Sequence, residues 1–253
     1  MYQKNPTRKI DFLIAGTQKG GTSALDKYLR EHPEIGMAKS KELHFFDDED
    51  IFSQPKIDYS IYENQFDFES NKKVYGEATP IYLYWEASCR RIWEYNPNIK
   101  LVFILRNPIT RAFSHWNMEY DRNADLYDFS SAIKNEEQRL KEALPLQHRV
   151  FSYADRGFYS NQILRYKSLF RDNQMLFIKY EEFKIRQKQV LFKIFDFLGV
   201  ESDSFNFVYQ EVHNIKSNSN LSIDDKNHLI DLFENDIHKV EELLNWDCSD
   251  WLK

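Results

Sequence analysis

Cysteine is nearly absent from this chain. Cys89 and Cys248 are its only two in 253 residues, too few for a disulfide framework and too far apart, without paired ligand spacing, for a zinc site. Reduced structural thiols are expected. Long apolar runs are also lacking: the longest strand-like stretch is Leu101 to Leu105, far short of the roughly 20 residues that span a bilayer. The N-terminal MYQKNPTRKIDF has no apolar signal region, so the expectation is a cytoplasmic protein with no membrane partner. A basic surplus is missing as well. The formal charge is −6, which argues against nucleic acid as a partner and requires any anion site to be built locally. No repeat, low-complexity tract or heptad stands out, and the polar stretch His213 to Ser222 reads as a surface loop.

What the chain does contain is an alternation of strand and helix patterns. Asp11–Gly16 reads as a short buried strand entering a glycine-rich turn, and Thr22 to His32 carries helical periodicity that stops before Pro33. Lys73–Ala78, Lys100–Leu105 and Met175–Lys179 read as further strands. Helices are expected over Tyr84–Tyr95, Pro108–Asp121, Ser160–Phe170, Gln187–Leu198 and Asp224–Leu244, and a charged helix over Ser131–Ala143 is read as a solvated face or a flap. This order predicts an α/β fold, a P-loop-like single domain over residues 1–253 with a short central parallel sheet flanked by helices. Ligands in such sheets sit beyond the carboxyl ends of the strands.

Three of the seven glycines fall at positions 16, 20 and 21, between the first strand and the first helix. Glycine there lets main-chain N–H groups converge on an anion, and the helix N-terminus adds a favourable dipole. Gly16, Gly21 and Ser23 overlay the spacing of a nucleotide-triphosphate loop, but Thr22 stands where that motif has lysine, and Lys19 comes earlier. The basic group has moved to the start of the loop, which suits a shorter anion held without metal. A ligand-free strand–helix turn is the plainer alternative.

A second anion site is read at Arg106-Asn107-Pro108, where the strand Leu101–Leu105 ends. Asn107 is placed to cap a helix that Pro108 begins. A guanidinium here binds an anion directly, where a magnesium enzyme commonly carries aspartate. Ser114, two helical turns on, shares the face that Asn107 and Arg111 present toward Arg106, so one phosphate could bridge Arg106 and Ser114. Taken singly, Arg106 reads first as a structural ion-pair partner and Ser114 as a small packing residue; two anion sites on neighbouring units change that weighting.

Together these segments resemble the PAPS-dependent sulfotransferase family (PAPS, 3′-phosphoadenosine-5′-phosphosulfate), and particularly the branch of heparan sulfate sulfotransferases and their bacterial relatives. The resemblance implies that Lys19, Gly20, Gly21, Thr22 and Ser23 hold the 5′-phosphosulfate, and that Arg106 and Ser114 hold the 3′-phosphate. The segment Lys41-Glu-Leu-His-Phe-Phe-Asp47 is similar to the family's general-base stretch, which implies Glu42 as base, His44 as its assistant and Lys19 as the group that stabilises the transferring charge. It also brings Tyr159, in Gly157-Phe-Tyr159, and Lys216 near the nucleotide. Read without the family, Glu42 is a charged residue beside an aromatic strand and His44 a structural histidine.

At Gly76-Glu-Ala-Thr-Pro80 this chain has Ala78 where many heparan sulfate enzymes have lysine. That departure points away from their polysaccharide, toward a small-molecule (secondary-metabolite) or oligosaccharide hydroxyl. The aromatics Tyr82, Tyr84, Trp85, Trp116 and Tyr120 border the cleft and could pack on an acceptor, but are read first as core packing. Two other classes share much of this architecture: a P-loop kinase, which would depend on magnesium, and a nucleotide-binding module without catalysis, against which Glu42 stands.

Overall fold

The computed structural model describes residues 8–202, 205–209 and 221–253, so Lys216 and positions 213–220 of the polar stretch lie outside the described residues. In chain order the elements are β1 (Phe12–Gly16), α1 (Thr22–Glu31), β2 (Ile35–Met37), α2 (Glu49–Phe52), α3 (Ser60–Glu63), β3 (Val74–Ala78), α4 (Glu86–Tyr95) and β4 (Lys100–Leu105). They continue as α5 (Pro108–Asp121), α6 (Phe129–Lys134), α7 (Glu136–Ala143), α8 (Tyr159–Lys167), β5 (Met175–Lys179), α9 (Tyr180–Ile185), α10 (Gln187–Leu198) and α11 (Ile223–Leu244).

The five strands form one sheet in the order β2-β3-β1-β4-β5, every pair parallel, with Phe12 opposite Gly76 on one side and Lys100 on the other. Both faces are covered, which is why β1 and β4 read as unbroken apolar runs. Phe12, Ile14, Val102 and Ile104 pack with Leu25 and Leu29 of α1 and with Val190, Ile194 and Leu198 of α10. Their strand neighbours Leu13, Ala15, Leu101, Phe103 and Leu105 point the other way, toward α4, α5, α8 and α11. From β1 the chain moves to one side of the sheet, and from β4 to the other. The crevice at the carboxyl ends of these two adjacent strands is therefore the topological switch point, where open α/β sheets take ligands.

Helix boundaries follow capping chemistry. Asn107 accepts from the N–H groups of Ile109 and Thr110 at 2.9 and 3.3 Å, with Pro108 at the first helical position. Gly199 closes α10 at φ 80. The expected helix Tyr84–Tyr95 starts two residues later, because Tyr84 and Trp85 are buried and bonded to Asp155 (2.6 Å) and Glu49 (2.8 Å). The expected helix over Ser131–Ala143 is two helices meeting at Asn135. Its outer side is solvated as expected, with Lys134, Glu137, Gln138, Lys141 and Glu142 exposed, while Glu136 turns inward to accept the N–H groups of Ala154 and Asp155, both at 2.8 Å, and Arg139 pairs with Asp125 at 2.6 Å. Both cysteines are buried free thiols, and burial pushes each up to about 12.

Candidate active site

The glycine loop is built mostly from main chain. As β1 ends, Thr17 N–H bonds to Ile104 O at 2.9 Å, tying the loop to β4, and Gly20 N–H closes a turn onto Thr17 O at 2.9 Å. A Cβ on Gly20 would lie 2.5 Å from Ile104 O, so no side chain fits, and Gly21 takes φ 90. Helix α1 starts with no side-chain cap and no acidic residue in its first turn, a helix N-terminus suited to an anion. Thr22 is buried and Ser23 exposed at that end. Lys19, at φ 69, is lowered to about 8, first by burial and then by the charges of Arg106 and Arg122. Glu119 offsets part of this, pairing with Arg122 at 3.4 Å, but the net effect on Lys19 is that of surplus positive charge, which favours an anion nearby.

Arg106 completes this side. Its Nη1 donates to Lys19 O at 3.1 Å, its Nε to Thr110 Oγ1 at 3.1 Å, and its guanidinium lies over the Tyr180 ring at 4.9 Å. No carboxylate is among these contacts, and among the described residues Arg106 makes no ion pair. Tyr159 is buried and its hydroxyl donates to Arg106 O at 2.8 Å, so its polar atom is committed to holding the strand end. Ser114 is half-buried on α5. Arg111 is fully buried, its Nη2 donates to Tyr153 O, and its charge acts on both Lys19 and Arg106. His115 beside it is also fully buried, and burial drives it well below its ordinary value.

The segment Lys41–Asp47 reaches the same end of the sheet, because Glu42 N–H bonds to Ala78 O at the end of β3 at 2.9 Å. Two of its residues are left-handed, Glu42 at φ 62 and His44 at φ 53, conformations costing about 1–2 kcal/mol each without glycine. Glu42 accepts from Lys41 Nζ, and His44 stands between two carboxylates, 3.8 Å from Glu42 Oε2 and 2.9 Å from Asp47 Oδ2. His44 and Lys41 hold Glu42 down to about 2 against the opposing effect of burial. Asp47 and then Glu42 lift His44 to about 9. At neutral pH Glu42 is ionised and His44 is an imidazolium, a donor at both nitrogens.

Several site residues escaped the sequence reading. Asp47 is fully buried and shares its Oδ2 between His44 and Arg149. Arg149 arrives from a loop a hundred and two positions later. Arg156, fully buried, donates to Gln18 Oε1 in the glycine loop and to Ser152 Oγ at 2.7 Å. Glu77 in β3 is fully buried, raised to about 7 by burial, and accepts from Thr79 Oγ1 at 2.7 Å and Tyr62 Oη at 3.3 Å. Asp47 ends the motif already quoted, which was its one signal; Arg149 and Arg156 had none, since only the fold carries their loop to the site.

A family model described as a sulfotransferase domain matches residues 9–231. The membrane-associated sulfotransferase kil1 of Dictyostelium discoideum is 22% identical, over 94% of this chain and 65% of its own length. The heparan sulfate glucosamine 3-O-sulfotransferase 6 of Homo sapiens is 27% identical, over 75% of this chain and 52% of its own. The chain thus spans roughly half to two thirds of the length of these curated relatives. Among solved structures, a sulfotransferase from Alicyclobacillus acidocaldarius has a TM-score of 0.84 at 29% identity, covering 97% of this chain and 100% of that one. A mouse sulfotransferase, SULT7A1, complexed with PAP, shares the fold at TM-score 0.55 and 15% identity, over 93% of this chain and 86% of that one.

Proposed function

Since the chain belongs to the sulfotransferase domain family, we propose that it transfers a sulfuryl group from PAPS to a hydroxyl, with Glu42 as the general base. The observation that carries this reading is the joining of two anion-binding elements, where Arg106 Nη1 bonds to Lys19 O at 3.1 Å across the β1–β4 crevice. The residues fit the donor. An uncapped helix N-terminus and Lys19 suit the phosphosulfate end, and Arg106, without a carboxylate among its contacts, suits a phosphate, with Ser114 as its partner on α5. Tyr159 acts behind Arg106 through the main-chain carbonyl that it holds.

PAPS supplies the activated sulfuryl group. Glu42, ionised and oriented by His44, takes the proton of the acceptor hydroxyl as the new O–S bond forms in line with the breaking bond to phosphate. A carboxylate held at about 2 is a weak base, so proton transfer comes late, when the attacking oxygen has already become acidic. Lys19 and the loop N–H groups stabilise the charge gathering on the leaving phosphate. Transfer is direct, with no sulfated side chain, and the donor is held without metal. The acceptor is read as a small-molecule or oligosaccharide alcohol in the cytosol, and residues 1–253 as one catalytic domain. Among the described residues, no helix is long and apolar enough to cross a membrane.

Calorimetric titration with 3′-phosphoadenosine-5′-phosphate (PAP), and separately with ATP and magnesium, tests the reading. PAP should bind without metal, and Arg106→Ala should weaken it about 10- to 100-fold, the loss expected for charge-assisted hydrogen bonds. Preference for ATP with magnesium would replace the sulfotransferase reading with a kinase.

A further inference from the structure

Between the glycine loop and the Glu42 loop runs a segment that the transfer chemistry leaves unused. At its start Arg149 donates from Nη1 to the Asp47 carboxylate and from Nη2 to the Asp47 main-chain oxygen, and its guanidinium covers the Trp85 ring at 4.3 Å. At its end Arg156 donates to Gln18 of the glycine loop and also to Arg149 O. One short stretch of chain therefore grips both loops.

Asp47 depends on that grip. Its carboxylate is fully buried, Oδ2 is shared by His44 and Arg149, and Oδ1 has no hydrogen-bond partner among the described residues. A buried carboxylate with one oxygen unsatisfied is costly to keep unless cations hold the other. Of the two cations on it among the described residues, Arg149 comes from outside the loop, whereas His44 belongs to it and cannot fix it in space. The loop is also strained, with Glu42 at φ 62 and His44 at φ 53, and such conformations persist only where their surroundings over-determine them. Arg149 supplies that constraint through side chain, main chain and ring contact together.

We propose that Arg149 is a positioning residue for sulfuryl transfer, clamping Asp47 so that the strained loop bearing His44 and Glu42 stays in register with the glycine loop that Arg156 holds from the same segment. The proposal rests on Glu42 as base, and the test separates the two. PAP affinity is measured by calorimetry, and PAPS turnover with water as acceptor by release of PAP and sulfate. The variants are Arg149→Ala, Arg149→Lys, Asp47→Asn and the double Arg149→Ala/Asp47→Asn, with Glu42→Gln alongside.

Turnover of Arg149→Ala should fall about 10- to 100-fold, as misplacement of a reacting group does, while PAP affinity holds within about twofold. Arg149→Lys should recover part of the loss, because an ammonium cannot both bridge the Asp47 oxygens and lie flat on Trp85. It also keeps the test open if the alanine variant does not fold. The double variant should be no slower than the slower single one. Losses that multiply, PAP affinity that weakens in step with the rate, or normal turnover in Arg149→Ala or in both Arg149 variants would each overturn the proposal. Normal turnover in Glu42→Gln sinks the base assignment and this proposal with it, whereas normal turnover in Arg149→Ala with Glu42→Gln inactive sinks this proposal alone.

Discussion

The glycine loop and the Glu42 loop meet at the same end of the sheet but are built from different material. The first hangs on main-chain bonds, Thr17 to Ile104 and Gly20 to Thr17, with tight packing where Gly20 meets β4. The second hangs on side chains, with Lys41, Glu42, His44, Asp47 and Arg149 linked in series and two residues at positive φ. Backbone cradles tolerate most substitutions at positions other than their glycines, because each N–H survives a change of side chain. A side-chain network loses a donor or an acceptor with every substitution. The contrast teaches that holding a donor and positioning a base should fail separately.

Glu42→Gln is the strongest way to break that comparison. It should lower turnover about 10²- to 10⁴-fold, the range for loss of a general base, while PAP titrates as in the wild type. A parallel loss of PAP affinity would show that the two loops are one unit. Gly20→Ala attacks the other side: with a Cβ placed 2.5 Å from Ile104 O, chemical denaturation should report about 1–3 kcal/mol of lost stability, the cost of overpacking, together with weakened PAP binding. Unchanged stability would mean that the loop can move off β4.

The smallest effect is a gap in pH. Lys19 is lowered to about 8 and His44 raised to about 9, and both act as cations, so each contribution is present at low pH and lost as pH rises through its value. PAP affinity should therefore decline first, above about pH 8, whereas at saturating PAPS the bound anion keeps Lys19 protonated and turnover declines only later, above about pH 9. Pairing each titration with His44→Asn sharpens the point: the substitution should remove the later decline and leave the earlier one. A single decline common to both readouts would mean that one group governs both.

Legibility differed between the two halves for a physical reason. β4, β5, α5 and α10 fall at the residues their patterns marked, because apolar runs, Asn107-Pro108 and Gly199 are local signals that need no partner. β2 is three residues at a sheet edge, and α9 follows β5 without a break, so neither carries a periodicity long enough to read. The helix expected over Ser131–Ala143 divides at Asn135, and Glu136 just after it is claimed by N–H groups of Ala154 and Asp155, which no window around Glu136 contains. Spacing along α5 puts Arg111 on one face with Asn107 and Ser114, but not its full burial, since spacing sets which residues share a helix face and not what that face meets.

By itself the sequence determined the alternation of strand and helix, the glycine loop after the first strand, the arginine at the end of another and the motif carrying Glu42 and His44. These rest on interactions between residues near one another in the chain: φ freedom at glycine, capping at Asn107, and burial of continuous apolar strands. Only the tertiary structure decided that Arg149 and Arg156 join the site, that Asp47 is a buried carboxylate shared by two cations, and that His44 is an imidazolium at neutral pH. Charge and burial depend on what surrounds a group in space, and here the surroundings of Asp47 come from a hundred and two residues away.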